Sequence, residues 1–109
     1  MRNALTMAFL DDYFEDKYQV IDALFYGDNH GVHLYPVEDI PGDLLNVGTL
    51  IDVATELTSV AHVIADSLDV CDDEQQQMRR LKRISGLHHL AAEVTDLAIN
   101  IAKAQGDNV

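Results

Sequence analysis

Apolar residues recur at helical spacing in three stretches of the chain, separated by one long segment rich in glycine and proline and by one short acidic segment. From about residue 3 to 26, Met7, Leu10, Phe14, Ile21 and Leu24 or Phe25 fall on one side, with Asp11, Asp12, Glu15 and Asp16 on the other. This predicts an amphipathic helix with Asn3 as its N-cap and Gly27 at its stop. From about 43 to 70, Leu50, Val53 or Ala54, Leu57, Val60 or Ala61, Ile64 and Leu68 are spaced alternately three and four apart, a heptad-like seam. Its start has two readings, Asp43 as the cap, or Thr49 with Asp52 as a capping box one turn later. From about 73 to 105, Ile84, Leu87, Leu90 or Ala91, Val94, Leu97 or Ala98 and Ile101 make a second seam. Asp72 would cap this helix, Gly106 would end it, and Gly86, which costs about 1 kcal/mol inside a helix, marks a close crossing or a bend.

The connector between the first two helices, residues 27 to 42, holds both prolines and three of the six glycines. Val32 to Tyr35 can extend briefly, but Pro36 argues against a central strand. A connection of this length is often functional or mobile. The pattern therefore predicts an all-α fold, with the N-terminal helix packed on a long antiparallel helical hairpin. The wide apolar stripes of the two long helices exceed what three helices cover, and dimerisation would complete them as a larger bundle.

A length of 109 residues with 48% hydrophobic and 24% charged residues fits a single folded domain spanning 1–109. Cys71 is the only cysteine, so neither an intramolecular disulfide nor a multi-cysteine zinc site is expected. Acids at Asp11 and Asp12 arrive before a signal-peptide apolar region develops, and no stretch approaches the roughly 18 uncharged residues of a membrane span. The expectation is a cytoplasmic protein with no membrane partner.

Charge alters the picture more through its placement than through its total of -12. Residues 11 to 74 hold 16 acids against one base, Lys17, whereas residues 75 to 109 hold five bases against three acids. The acidic two-thirds would repel nucleic-acid phosphates and attract a basic partner surface. The acids placed for such contact are Asp11, Asp12, Glu15, Asp16, Asp22, Asp69, Asp72, Asp73 and Glu74. Against them stands a basic turn, Arg79, Arg80, Lys82 and Arg83, whose readings are internal pairing with acids or contact with phosphate or an acidic partner. Direct nucleic-acid binding is not expected at an isoelectric point near 4.4.

Candidate chemistry is sparse. His30 and His33, flanked by Asp28, Glu38 and Asp39, have donor types that can hold a transition metal, which keeps metal binding through the 28–39 loop as a secondary reading. His88 and His89 are adjacent on a helix and so diverge by about 100°, too far to share one ion. His89 lies one turn before Glu93, the spacing of an imidazole–carboxylate pair. Cys71, amid Asp69, Asp72 and Asp73, sits where anions suppress the thiolate. Phosphate-loop, dinucleotide and nucleophile-elbow signatures are missing. No cofactor and no enzymatic activity are expected.

In size, acidity, helical content and lack of catalytic motifs, the chain resembles small acidic helical phage-encoded inhibitors, including certain anti-CRISPR proteins. That resemblance implies an acidic surface that occupies the basic, nucleic-acid-binding groove of a partner, and it assigns no residue roles. A second, more local pattern runs through Leu24-Phe25, Gly31-Val32 and Asp43-Leu-Leu-x-Val-x-x-Leu-Ile-Asp-Val-Ala-x-x-Leu57. It is similar to a group of small bacterial helical domains of unknown function, and implies an interaction domain without assigned activity. The chain departs from that group in its long third helix and acidic N-terminal helix. The expected function is thus a non-enzymatic protein–protein interaction module, with a structural or regulatory homodimer as the alternative.

Overall fold

The computed structural model describes residues 18–70 and 72–106. The protein is mainly helical, as the seams predict, with a small two-stranded sheet inserted after the first helix. In chain order the elements are helix α1 (Tyr18–Leu24), strands β1 (Phe25–Asp28) and β2 (Gly31–Leu34), helix α2 (Val47–Ser67) and helix α3 (Glu74–Gln105). Short 3-10 turns occupy Val37–Asp39, Gly42–Leu44 and Leu68–Val70. The N-terminal part of the expected 3–26 helix, with Asn3 as its cap, lies outside the described residues.

The two long helices pack against each other along the seams read from sequence. Leu50, Val53, Ala54, Leu57, Val60, Ala61 and Ile64 of α2 are buried, and so are Leu87, Leu90, Ala91, Val94, Leu97 and Ala98 of α3. Ile84 and Ile101 pack at the edges of this core. Ile21 and Leu24 of α1 and Phe25 of β1 complete it and are essentially inaccessible to solvent.

Helix boundaries differ from expectation by a few residues, each for a local reason. α2 starts at Val47 because Asn46, in extended backbone, accepts the Thr49 N–H at 2.8 Å. The Asn46 amide also donates to the Asp43 carbonyl, so neither Asp43 nor Thr49 is the cap. α3 is capped by Asp73 rather than Asp72, its carboxylate accepting the Gln75 N–H at 2.9 Å. Gly106 does end α3, donating its N–H to the Ala102 carbonyl.

The larger correction concerns residues 25–34. Phe25 and Tyr26 are not the last turn of a helix but the start of a β-hairpin, and the connector is largely ordered structure rather than a long loop. Phe25 pairs with Leu34, Tyr26 with His33, Gly27 with Val32 and Asp28 with Gly31. The ladder continues with the Tyr35 N–H donating to the Leu24 carbonyl at 2.8 Å. The chain reverses over Asn29 and His30, and Gly31 adopts φ +125°, a conformation costly for any side-chain-bearing residue. Beyond the hairpin, Pro36 and Pro41 each precede a 3-10 turn, and Ile40 between the turns is buried in the core. The prolines thus direct the connector back to α2 instead of freeing it.

Among the described residues, one helical stretch, Val47–Val70, is long and apolar enough to cross a membrane by length and composition, with a mean hydropathy of 1.3. The stretch carries Asp52, Glu56, Asp66 and Asp69, so it holds no run of about 18 uncharged residues. The seven buried residues of α2 account for much of that apolarity, because they form the seam against α3.

Candidate functional site

The tight connection between α2 and α3 gathers charge at one end of the helical hairpin. Asp66, Asp69, Asp72, Asp73 and Glu74 are all exposed there. Two local causes put them at the surface. The C-terminal turn of α2 and the N-terminus of α3 both point their polar positions outward, and acids at the start of α3 complement its helix dipole. Val70 stands among these carboxylates with 81% of its surface exposed, and Met78, one turn into α3, is also more than half exposed.

The basic turn next to this acidic end is not one surface. Arg80 is half-buried and turns back toward α2, its Nη1 donating to the Ser67 carbonyl at 3.1 Å and to the Ser67 hydroxyl at 2.7 Å. The Ser67 hydroxyl in turn donates to the Ile64 carbonyl at 2.6 Å. Arg80 therefore satisfies the Ser67 carbonyl left over at the end of α2, a structural task rather than a contact with acids. Arg79 and Lys82 are exposed, and Arg83 is half-buried.

On the β-hairpin, Asp28 organises the turn. Its Oδ1 accepts the His30 N–H at 2.7 Å and lies 3.1 Å from His33 Nε2. The backbone hydrogen bond from His30, followed by the interactions with His33, holds the Asp28 carboxyl below its ordinary value of 3.8. The His33 ring also packs on Tyr26, with centroids 5.3 Å apart, and Tyr26 packs on Tyr35 at 4.9 Å. The register places Tyr26 and His33 opposite each other, which explains the contact. Among the described residues, no three His, Cys, Asp or Glu side chains converge to hold a metal ion. His33 is engaged locally with Asp28, and His30 is exposed beside the turn.

The hairpin lies against α3 and leaves a groove of about 530 Å³ between them. Lys82, Ser85, Gly86 and His89 line it from α3, and His30 and Val32 from the hairpin. The helix contribution is one stripe, because residues three and four apart share a face. His89 Nε2 lies 3.3 Å from Glu93 Oε1, the pair anticipated from their spacing. Gly86, read from sequence as a close crossing or a bend, is the helix position facing this gap. The juxtaposition of His30 with His89 and Lys82 could not be read from sequence, since it depends on where the hairpin docks.

Of the acids expected to face a partner, Asp69, Asp72, Asp73 and Glu74 are brought together at the hairpin end, and Asp22 is half-buried on α1. Asp11, Asp12, Glu15 and Asp16, like Cys71, lie outside the described residues. Sequence reading missed Val70 and Met78, whose only signal was that they fall off the seams. No protein-family model matches the chain, and no curated protein or solved structure matches it either.

Proposed function

We propose that this protein is a non-enzymatic protein–protein interaction module that docks the acidic end of its helical hairpin on a basic surface of a partner protein. The observation that carries this reading is Val70, 81% exposed in the short connection that also carries the exposed acids Asp69, Asp72, Asp73 and Glu74. Acids that only kept the protein soluble would not require a strongly exposed apolar residue beside them in the chain. An interface benefits from both, since long-range attraction speeds encounter and a desolvated apolar centre slows release. In its most specific form the proposal is a cytoplasmic inhibitor from a phage or mobile element, occupying a basic nucleic-acid-binding groove.

The test is affinity capture from the source cell at low salt, with proteins released as salt rises, compared between wild type and a variant carrying Asp69→Lys, Asp72→Lys and Asp73→Lys. Loss of basic, nucleic-acid-handling proteins from the variant, and their steep release by salt from wild type, is the expected result. An identical captured set in both would overturn the proposal. Val70→Ser should weaken capture with little change in its salt dependence.

A structural or regulatory homodimer is the second reading, favoured by a different face of the helices. A groove lined by Ile51, Ala54, Thr55, Thr58, Ser59 and Thr95 has a volume of about 310 Å³. The hydroxyls of Thr55, Thr58 and Thr95 donate to the carbonyls of Ile51, Ala54 and Ala91 in their own helices, so their hydrogen-bonding capacity is turned inward. Ile51 and Ile99 remain 43% and 45% exposed. Sedimentation of wild type and of Ile51→Glu would distinguish a dimer held by this face from a monomer.

A further inference from the structure

The groove between the β-hairpin and α3 is unrelated to the acidic end, and its chemistry is of the opposite sign. Lys82 is exposed, lines the groove and makes no ion pair among the described residues. In a chain of net charge -12, Lys82 thereby places an ammonium at the wall of a concavity. Of the other polar groups lining the space, Ser85 supplies a hydroxyl and His30, His33 and His89 supply imidazoles, with His33 and His89 beside the carboxylates of Asp28 and Glu93. Val32 and Leu90 provide apolar wall, and Gly86 provides depth because it carries no side chain. The volume of about 530 Å³ is within the usual range of small-molecule sites and exceeds what a bare oxyanion fills.

We propose that this groove binds a small phosphomonoester, its phosphoryl oxygens taken by Lys82, Ser85, His30 and His89 and its organic part resting on Val32 and Leu90. A dianionic group with several acceptor oxygens suits donors converging from two elements better than a single carboxylate does.

The experiment is a titration of the full chain with glycerol phosphate, followed by amide NMR at constant ionic strength, with inorganic phosphate and succinate as comparison ligands. Saturable shifts centred on Gly31, Val32, Ser85, Gly86 and His89 are expected, tighter for the ester than for phosphate or succinate. Lys82→Ala should weaken binding about tenfold, the loss of one charge-assisted contact, while Arg79→Ala should not and Lys82→Arg should retain most of it. Amide dispersion of each variant reports that the fold is intact. The proposal is overturned if the shifts do not saturate, if they map elsewhere, or if folded Lys82→Ala binds as wild type does. Equal affinity for succinate would overturn the phosphoryl assignment.

Discussion

Arg80 offers the sharpest test of how charge is used in this protein, because its neighbours in sequence have the same charge and a different task. Removing its side chain with Arg80→Ala deletes the two hydrogen bonds that one guanidinium nitrogen makes to Ser67, at 3.1 and 2.7 Å. A hydrogen bond to a charged group contributes about 1.5–3 kcal/mol net when well shielded. Here both acceptors share one nitrogen and the side chain is only half-buried, so a total of about 1–2 kcal/mol is the reasoned cost. For a domain of this size that lowers the melting temperature by roughly 5–10 °C. The assay is urea unfolding followed by helical circular dichroism, on Arg80→Ala, Arg79→Ala, Ser67→Ala and the Ser67→Ala/Arg80→Ala double variant. Arg79→Ala should change stability by no more than about 0.5 kcal/mol. The double-variant cycle should return a coupling of about 0.5–1 kcal/mol, since the Ser67 carbonyl remains available when its hydroxyl is lost. If Arg80→Ala costs no more than Arg79→Ala, or if Arg80 and Ser67 act additively, the bracing of α2 by α3 is refuted.

Two further perturbations test the core and the hairpin. Leu57→Ala, at a fully buried seam position, should cost about 2–5 kcal/mol in chemical unfolding, whereas Val63→Ala, more than half exposed on the same helix, should stay within about 0.5 kcal/mol; similar costs for the two would mean that the α2 seam is misplaced. The folded-state pKa of Asp28 lies below 3.8, so its contribution to stability is present above its unfolded value and is lost as pH falls through the folded one. Carboxyl NMR of the folded chain should show this depressed midpoint, and His33→Ala should reverse only part of it because the His30 N–H is the larger cause; complete return to the ordinary value would contradict that ranking.

Much of the helical framework was legible from residue spacing. The α2 and α3 seams match the buried residues nearly position for position, because a 3.6-residue repeat of apolar side chains has few ways to be buried other than against another such repeat. The acidic end between them was also legible, since a short turn joining two helices places Asp69, Asp72, Asp73 and Glu74 together whatever the rest of the chain does. Caps were less so. Asn46, Asp43 and Thr49 are all competent in type, and only the backbone conformation at Asn46 selects it.

The hairpin was decided by tertiary structure. Ile21, Leu24 and Phe25 satisfy helical spacing, and nothing local forbids another turn; the alternative wins by pairing Phe25–Asp28 with Gly31–Leu34, held by Asp28 and by the positive φ of Gly31. Hydrogen bonding between separate segments is not written in the period of either. The same reason separates two readings of the charges. Sequence alone determined that the protein is polarised, acidic through residue 74 and basic just after it. Tertiary structure decided what each base does, turning Arg80 inward to Ser67 and leaving Lys82 at a groove that exists only because the hairpin docks beside Gly86.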